Sequence, residues 1–268
     1  MQYRKSSLPS GGLLFRKNPS EPMKKLLLLL AVCPLALAAL AQDFTKPETT
    51  EVWEPKPPLV TPGATPGAPP SDAIVLFDGK NLDAWTDKKG QPSGWTVKDG
   101  VATIVPDNGD LVSKQKFGDC QLHLEFRLPD DAKSKGTNAG NSGVFLQERY
   151  EIQIFDSYQY EVPLYYNGMA GSVYKQSVPL ANAMTRPGTW NTYDIYYTAP
   201  RFRKNGSLEV PAFVTVVHNG VLVLNHFQIH GTIQYIGIPK YETHGKASLV
   251  LQGHGSPVSF RNIWIREL

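Results

Sequence analysis

Short apolar alternations dominate the chain from about residue 72 onward. In "DCQLHLEFRL" Cys120, Leu122, Leu124, Phe126 and Leu128 fall on one side, and Gln121, His123, Glu125 and Arg127 on the other. A period of two is that of a half-buried strand, since successive side chains point to opposite faces. The same alternation recurs in "WNTYDIYYT" and in "FVTVVHNGVLVLNHF". In the latter, Asn219-Gly220 separates two strand-like runs and supplies the positive φ values that a type I′ hairpin turn demands. No apolar repeat of helical period is long enough to build on. Twelve or so short strands with turn signals every ~8 to 12 residues predict an all-β domain over 72–268, two antiparallel sheets stacked as a sandwich.

The segment "NSGVFLQERYEIQIFDSY" complicates the pattern. Arg149, Glu151 and Gln153 alternate with Tyr150, Ile152 and Ile154, and Asp156 follows out of step. A three-residue loop at Glu148 to Tyr150, setting Gln147 opposite Glu151 and Leu146 opposite Ile152, matches the faces of the two halves. One bulged residue after Gln153 would bring Asp156 onto the face of Glu151 and Gln153. Alternatively, Asp156 only opens the turn "DSYQ".

The N-terminal part is different in kind. Met23-Lys24-Lys25 precedes "LLLLLAVCPLALAALAQ", a basic start, an apolar run and Ala39-Leu40-Ala41, so residues 1–41 read as an export signal with Met23 as the natural start. The expected location is the periplasm, cell surface or medium, with no stable membrane span after cleavage. Residues 42–71 carry eight of the 22 prolines and a tandem "TPGATPGA", and predict a semi-rigid linker.

Charge follows from this division. The whole chain carries 27 basic and 24 acidic residues, but six basic residues and one acidic residue lie in 1–41, leaving 21 against 23. The basic excess belongs to the export segment, which excludes a nucleic-acid partner. Of the two cysteines, Cys33 leaves with the signal and Cys120 sits on a core face, so no disulfide within the mature chain is expected. The oligomeric state is not encoded in any legible feature.

Candidate chemistry gathers in three places. Glu151, Gln153 and Asp156 offer two carboxyls and an amide, with Arg149 and Asn141 nearby. "GSVYKQ" adds Tyr174 and Lys175, and "LQGHGSPVSF" adds His254 between two glycines, where a ring can approach a ligand closely and titrate near neutrality. Amides, carboxylates and aromatic rings along one sheet face suit a carbohydrate, which offers hydroxyls and C–H faces. No nucleophile elbow, phosphate loop or dinucleotide fingerprint occurs, and the histidines lack metal-ligand spacing, so no cofactor is expected and no metal site is assigned.

The segments "IVLFDGKNLDAW", "NSGVFLQERYEIQIFDSY", "TAPRF", "VTVVHNGVLV" and "LQGHGSPVSFRNIWIREL" together resemble the 3-keto-disaccharide hydrolase domain family over about 72–268. The resemblance implies a concanavalin A-like jelly-roll sandwich and a glycosidic-bond hydrolase of the 3-keto-glycoside hydrolase/lyase type. In such an enzyme a carbon-3 ketone acidifies the carbon-2 hydrogen, a base removes it, the carbon-1 substituent is expelled and water adds. Glu151, Asp156 and His254 are then the expected proton carriers, and Gln153, Tyr174, Lys175, Arg149 and Asn141 the sugar contacts. The i, i+2, i+5 spacing also resembles the E-x-D-x-x-E motif of retaining glucanases, with Gln153 and Asp156 as departures from it. The family often has Asp where this chain has Gly253. A sugar-binding module without turnover, or an ordinary glycoside hydrolase, are the competing readings.

Overall fold

The faces expected from the alternation set the layers of the computed structural model, which describes residues 45–132 and 139–268. The export segment lies outside the described residues. Fifteen strands follow in chain order: β1 (Ile74–Phe77), β2 (Trp85–Thr86), β3 (Thr96–Lys98), β4 (Val101–Thr103), β5 (Leu111–Phe117), β6 (Cys120–Arg127), β7 (Ser142–Leu146), β8 (Tyr150–Ile154), β9 (Trp190–Thr198), β10 (Arg201–Phe202), β11 (Leu208–Val210), β12 (Phe213–His218), β13 (Val221–Gln228), β14 (Ala247–Leu251) and β15 (Ser259–Glu267). The larger sheet has the order β13-β12-β9-β6-β15-β4-β3, with β1 also on β15; the smaller is β2-β5-β14-β7-β8. All pairings are antiparallel and the chain crosses repeatedly between sheets, giving the jelly-roll sandwich.

The core lies between the sheets. Cys120, Leu122, Leu124 and Phe126 of β6 and Tyr193, Ile195 and Tyr197 of β9 meet Val144, Leu146, Tyr150, Ile152 and Ile154 of β7 and β8, all buried. Each such aliphatic or aromatic side chain removed from water contributes about 1.5–3 kcal/mol. Burial raises the Cys120 thiol to about 12, so it packs as an apolar group. Two tyrosines also join the layers by hydrogen bonds. Tyr193 Oη donates to the Gln153 carbonyl at 2.7 Å, and Tyr197 Oη to Gln147 Oε1 at 2.6 Å. The strand that carries the candidate acids is therefore fixed from the core side.

Of two expected hairpins, one turn is as expected and the other register is corrected. Asn219 and Gly220 adopt φ of 52° and 78° and join His218 to Val221, as the turn chemistry requires. The β7–β8 loop is three residues as well, but it comprises Gln147 to Arg149, and the ladder pairs Leu146 with Tyr150 and Phe145 with Glu151. The reason is Tyr150: its ring is wholly buried, which makes it a strand residue, and the reversal falls instead on Gln147 and Glu148 at φ of 49° and 61°.

The proline-rich stretch is divided. Of the described residues, those up to Pro58 (45–58) belong to one unit, in which Pro47–Thr50 is a single 3₁₀ turn, whereas Leu59 onward belongs to the sandwich unit. Within the latter the Gly67 carbonyl accepts from Trp264 Nε1 at 2.8 Å and from Asn262 Nδ2 at 2.9 Å. Residues 59–71 thus lie on the outer face of the larger sheet, and His123, expected to face solvent, is buried there, stacked on Trp264 with Nδ1 2.7 Å from Asp194. Among the described residues no helix is long and apolar enough to cross a membrane.

Candidate functional site

The outer face of the smaller sheet carries the candidate chemistry. Alternation along β8 sends Tyr150, Ile152 and Ile154 into the core, so Glu151 and Gln153 face the other way. The edge of the strand is occupied too. The run Gly171–Tyr174 pairs along the free edge of β8: Gly171 donates to the Gln153 carbonyl at 3.0 Å, Gln153 to Ser172 at 3.0 Å and Tyr174 to Glu151 at 3.1 Å. Glu151 and Gln153 are only 3% and 4% exposed, and of the two Gln153 lines a groove.

Gly143 on β7 faces Gln153 across the ladder, and a Cβ at that position would overlap Glu151 Oε1. The glycine in "NSG" is what allows the carboxyl its place. Burial is the chief cause, and the nearby charge of Asp110 the second, that pushes the Glu151 carboxyl from 4.5 up to about 8. A carboxylic acid so displaced stays largely protonated at pH 7, and its anion is a stronger base than an ordinary carboxylate.

Two lobes are lined by residues of this sheet, and Glu151 itself lines neither. One, about 680 Å³, is lined by Asn141, Gln153, Phe155, Pro163, Leu164, Tyr165, Tyr174, Tyr235 and His254. The other, about 470 Å³, is lined by Lys88, Asp110, Val112, Phe145, Glu148, Val250 and Gln252. In the first lobe Asn141 Nδ2 lies 3.3 Å from His254 Nδ1. Gln153 Oε1 accepts from the Ile154 amide at 3.0 Å, which leaves its NH₂ as a donor toward the groove. Tyr165 and Tyr174 share a 2.6 Å hydrogen bond between their hydroxyls, and burial together with that bond raises the Tyr174 phenol, which stays protonated.

The remaining expected residues fall elsewhere or act differently. Asp156 does not reach the groove. Phe155, the next residue in phase after Gln153, takes the position on the lining, and Asp156 Oδ1 accepts from the Tyr158 amide at 3.2 Å as a turn-opening aspartate. The proposed bulge is absent because strand β8 simply ends at Ile154. Arg149 sits in the β7–β8 loop, where Nη1 donates to the Gln147 carbonyl at 3.0 Å, away from the lobe lined by Gln153. Lys175 is near the groove, and its ammonium is turned to the wall: Nζ donates to the Tyr235 carbonyl at 2.6 Å and lies 4.2 Å from that ring's centroid and 5.3 Å from that of Tyr165. It ties the wall of the groove together. Ser142 is buried and donates to the Gln252 carbonyl at 2.7 Å.

Sequence reasoning missed Asp110 and Gln252. Asp110 accepts from the Gly253 amide at 2.9 Å and pairs with Lys88 at 2.7 Å. Gln252 lies in the same "LQGHG" run as His254, but nothing local marks it; its Oε1 is buried without a hydrogen-bond partner among the described residues. Gly253 has a physical reason: a Cβ there would overlap the Gly109 carbonyl, so the backbone in this chain excludes an aspartate.

Residues 72–266 match the model of the 3-keto-alpha-glucoside-1,2-lyase-like domain. The chain is similar to a solved structure described as a "putative glycosyl hydrolase" from Parabacteroides distasonis ATCC 8503, with 50% identity and a TM-score of 0.76 over 83% of this chain and 97% of that one. A second structure so described from the same organism is 25% identical, with a TM-score of 0.52 over 73% and 99% of the two chains. A third, at 22% identity and a TM-score of 0.55 over 74% and 94%, shares the fold. No curated protein matches the chain. The match over 72–266 makes this chain a member of the 3-keto-alpha-glucoside-1,2-lyase-like domain family.

Proposed function

We propose that the protein is a glycoside-cleaving enzyme whose substrate carries a ketone at carbon 3 of the glycone, and that Glu151 is the base that removes the carbon-2 proton. The observation that carries this reading is the buried Glu151 carboxyl, given its place by Gly143 and displaced to about 8, on the same strand face as Gln153, which lines the larger lobe. A hydrogen next to a ketone is weakly acidic, so a base raised toward the working pH is better matched to it than a solvated carboxylate. The family description and the relatives described as glycosyl hydrolases support the same substrate class.

The steps balance. Glu151 takes the proton from carbon 2, and the electron pair delocalises onto the carbon-3 oxygen as an enolate. The pair then re-forms the ketone, makes the carbon-1 to carbon-2 double bond and expels the carbon-1 oxygen. Water adds hydroxide at carbon 1, and carbon 2 and the departed oxygen each take one proton, one from water and one from Glu151, which returns to its carboxylate. The net reaction is hydrolysis. Donors along the same lobe, the Gln153 amide, Asn141 and the His254 ring, are suited to hold the enolate oxygen. A two-carboxylate retaining mechanism has less support, because Asp156 is engaged in a turn and Asp110 is engaged by Lys88.

The test uses paired 3-keto and unoxidised disaccharides with the purified chain, reading released sugar. Cleavage confined to the keto member supports the proposal. Cleavage of the unoxidised member points to an ordinary glycoside hydrolase, and binding without cleavage of either to a sugar-binding module.

A further inference from the structure

We propose that Asp110 is a positioning residue of this site, and that it acts through His254 by holding the backbone that carries the ring. This rests on the reading of the larger lobe as a substrate site with His254 among its donors. His254 stands in an irregular segment between the end of β14 at Leu251 and the start of β15 at Ser259. Such a segment has no ladder, so the few bonds to its backbone decide where the ring sits. Three of them lie just ahead of the histidine. The Gln252 amide donates to the Gly143 carbonyl at 2.9 Å, Ser142 Oγ to the Gln252 carbonyl at 2.7 Å, and the Gly253 amide to Asp110 Oδ1 at 2.9 Å. The bond to Asp110 is the nearest to His254. Beyond it, among the described residues, backbone bonds resume with the Ser256 carbonyl, which accepts from Val258 at 2.8 Å. The ring itself has Asn141 Nδ2 3.3 Å from its Nδ1.

Asp110 is fixed in its turn. Oδ1 takes the Gly253 amide and Oδ2 lies 2.7 Å from the Lys88 ammonium, so the carboxylate is oriented by both oxygens. The carbonyl of the preceding Gly109 accepts from Trp95 Nε1 at 2.9 Å, and Trp95 is buried, stacked on Phe260 with ring centroids 5.6 Å apart. The two backbones are in close contact, since a Cβ on Gly253 would overlap that same Gly109 carbonyl. A line of fixed groups therefore runs from the core through Trp95, Gly109 and Asp110 to Gly253, and ends at His254 in the larger lobe.

The held segment serves both lobes. Gln252 lines the smaller one and His254 the larger, with Gly253 between them. Placement matters at such a point, because a group displaced by about 1 Å can lose on the order of a hundredfold in rate. The competing role for Asp110 is direct contact with a ligand, since it lines the smaller lobe too. Both of its oxygens are turned to protein partners, which favours the hold over the contact.

The experiment measures kcat/KM on a 3-keto disaccharide for the wild-type chain, Asp110→Ala, Asp110→Asn, His254→Ala and the double variant Asp110→Ala with His254→Ala, with melting curves to establish that each folds. Asp110→Ala should lose about 10- to 100-fold. Asp110→Asn, which keeps an oxygen for the Gly253 amide, should restore most of that loss. In the His254→Ala background the further loss from Asp110→Ala should be about twofold or less, because the two changes break one unit. Asp110→Glu, which keeps the charge and moves the oxygen, takes the place of Asp110→Ala if that chain does not fold, with the same losses expected. Equal losses in the two backgrounds, or Asp110→Asn as slow as Asp110→Ala, overturn the inference. If no keto compound is cleaved, the substrate reading fails and NMR of the histidine rings decides the positioning separately. The His254 ring signals, assigned by their absence from His254→Ala, should shift in Asp110→Ala and stay in place in Asp110→Asn, and signals unmoved by Asp110→Ala overturn the inference.

Discussion

Replacing Glu151 by Gln keeps shape and removes the ionisable proton, and it should pull stability and turnover in opposite directions. The folded protein holds the Glu151 carboxyl at about 8, against 4.5 when unperturbed. Because the folded value is the higher, the fold takes up a proton at Glu151 more readily than the unfolded chain does. The stability associated with the protonated group is fully present below about 4.5 and is lost as pH rises through about 8. Above that the buried anion costs on the order of 5 kcal/mol by proton linkage. An amide carries no such penalty, although its NH₂ must also be desolvated, so about 1–3 kcal/mol of gain at pH 9 is expected. For a unit of this size that is a rise in Tm of roughly 3–10 °C. At pH 4 to 5 the variant and wild type should melt together within about 2 °C. Turnover, measured at pH 8, should fall by ~10² to 10⁴-fold. Differential scanning calorimetry at the two pH values, with sugar release on the same samples, reads both. A variant less stable than wild type at pH 9, or stabilised equally at both pH values, would refute the idea that Glu151 is a buried group carrying a charge at the cost of the fold.

Other consequences follow from the same contacts. Asp156→Ala removes the acceptor for the Tyr158 amide, so urea denaturation should report a loss of about 1 kcal/mol while turnover per folded molecule survives. Deleting residues 42–71 removes the Gly67 carbonyl from Trp264 and Asn262, and the melting temperature should drop, where a free linker would leave it unchanged. His218 is fully buried, Nε2 3.1 Å from Asn191 Oδ1, and burial holds its ring down to about 3. Its folded value lies below the unfolded one, so its contribution is present above about 6.5 and is lost as pH falls toward 3. Nitrogen NMR shifts of that ring should stay those of the neutral form down to about pH 5, and a midpoint near 6.5 would contradict its burial.

What could be read from the chain was whatever depends on alternation and on turn chemistry. The core face of Cys120 to Phe126, the reversal at Asn219-Gly220 and the shared face of Glu151 and Gln153 are local consequences of a period of two. What could not be read depends on partners distant in sequence. Asp156 has two local options, bulge or turn, and the choice is made where β8 ends and Phe155 takes the lining. Asp110 reaches the site only because β5 and β7 both flank β14, and no motif marks it. Lys175 offered a free cation in sequence, yet folding surrounds it with Tyr165 and Tyr235. His123 alternates with core residues and so reads as exposed, until residues 59–71 cover it.

The central claim is that the bond to the carbon-2 hydrogen breaks before the glycosidic bond does. The direct measurement is mass analysis of the sugar released from a 3-keto disaccharide carrying deuterium at carbon 2, turned over in ordinary water by the wild-type chain. Removal of that hydrogen by Glu151 predicts product that has lost the label to solvent, together with a slower rate for the deuterated substrate. Product that retains the label in full, at the rate of the unlabelled compound, would mean direct displacement at carbon 1 and would contradict the role given to Glu151.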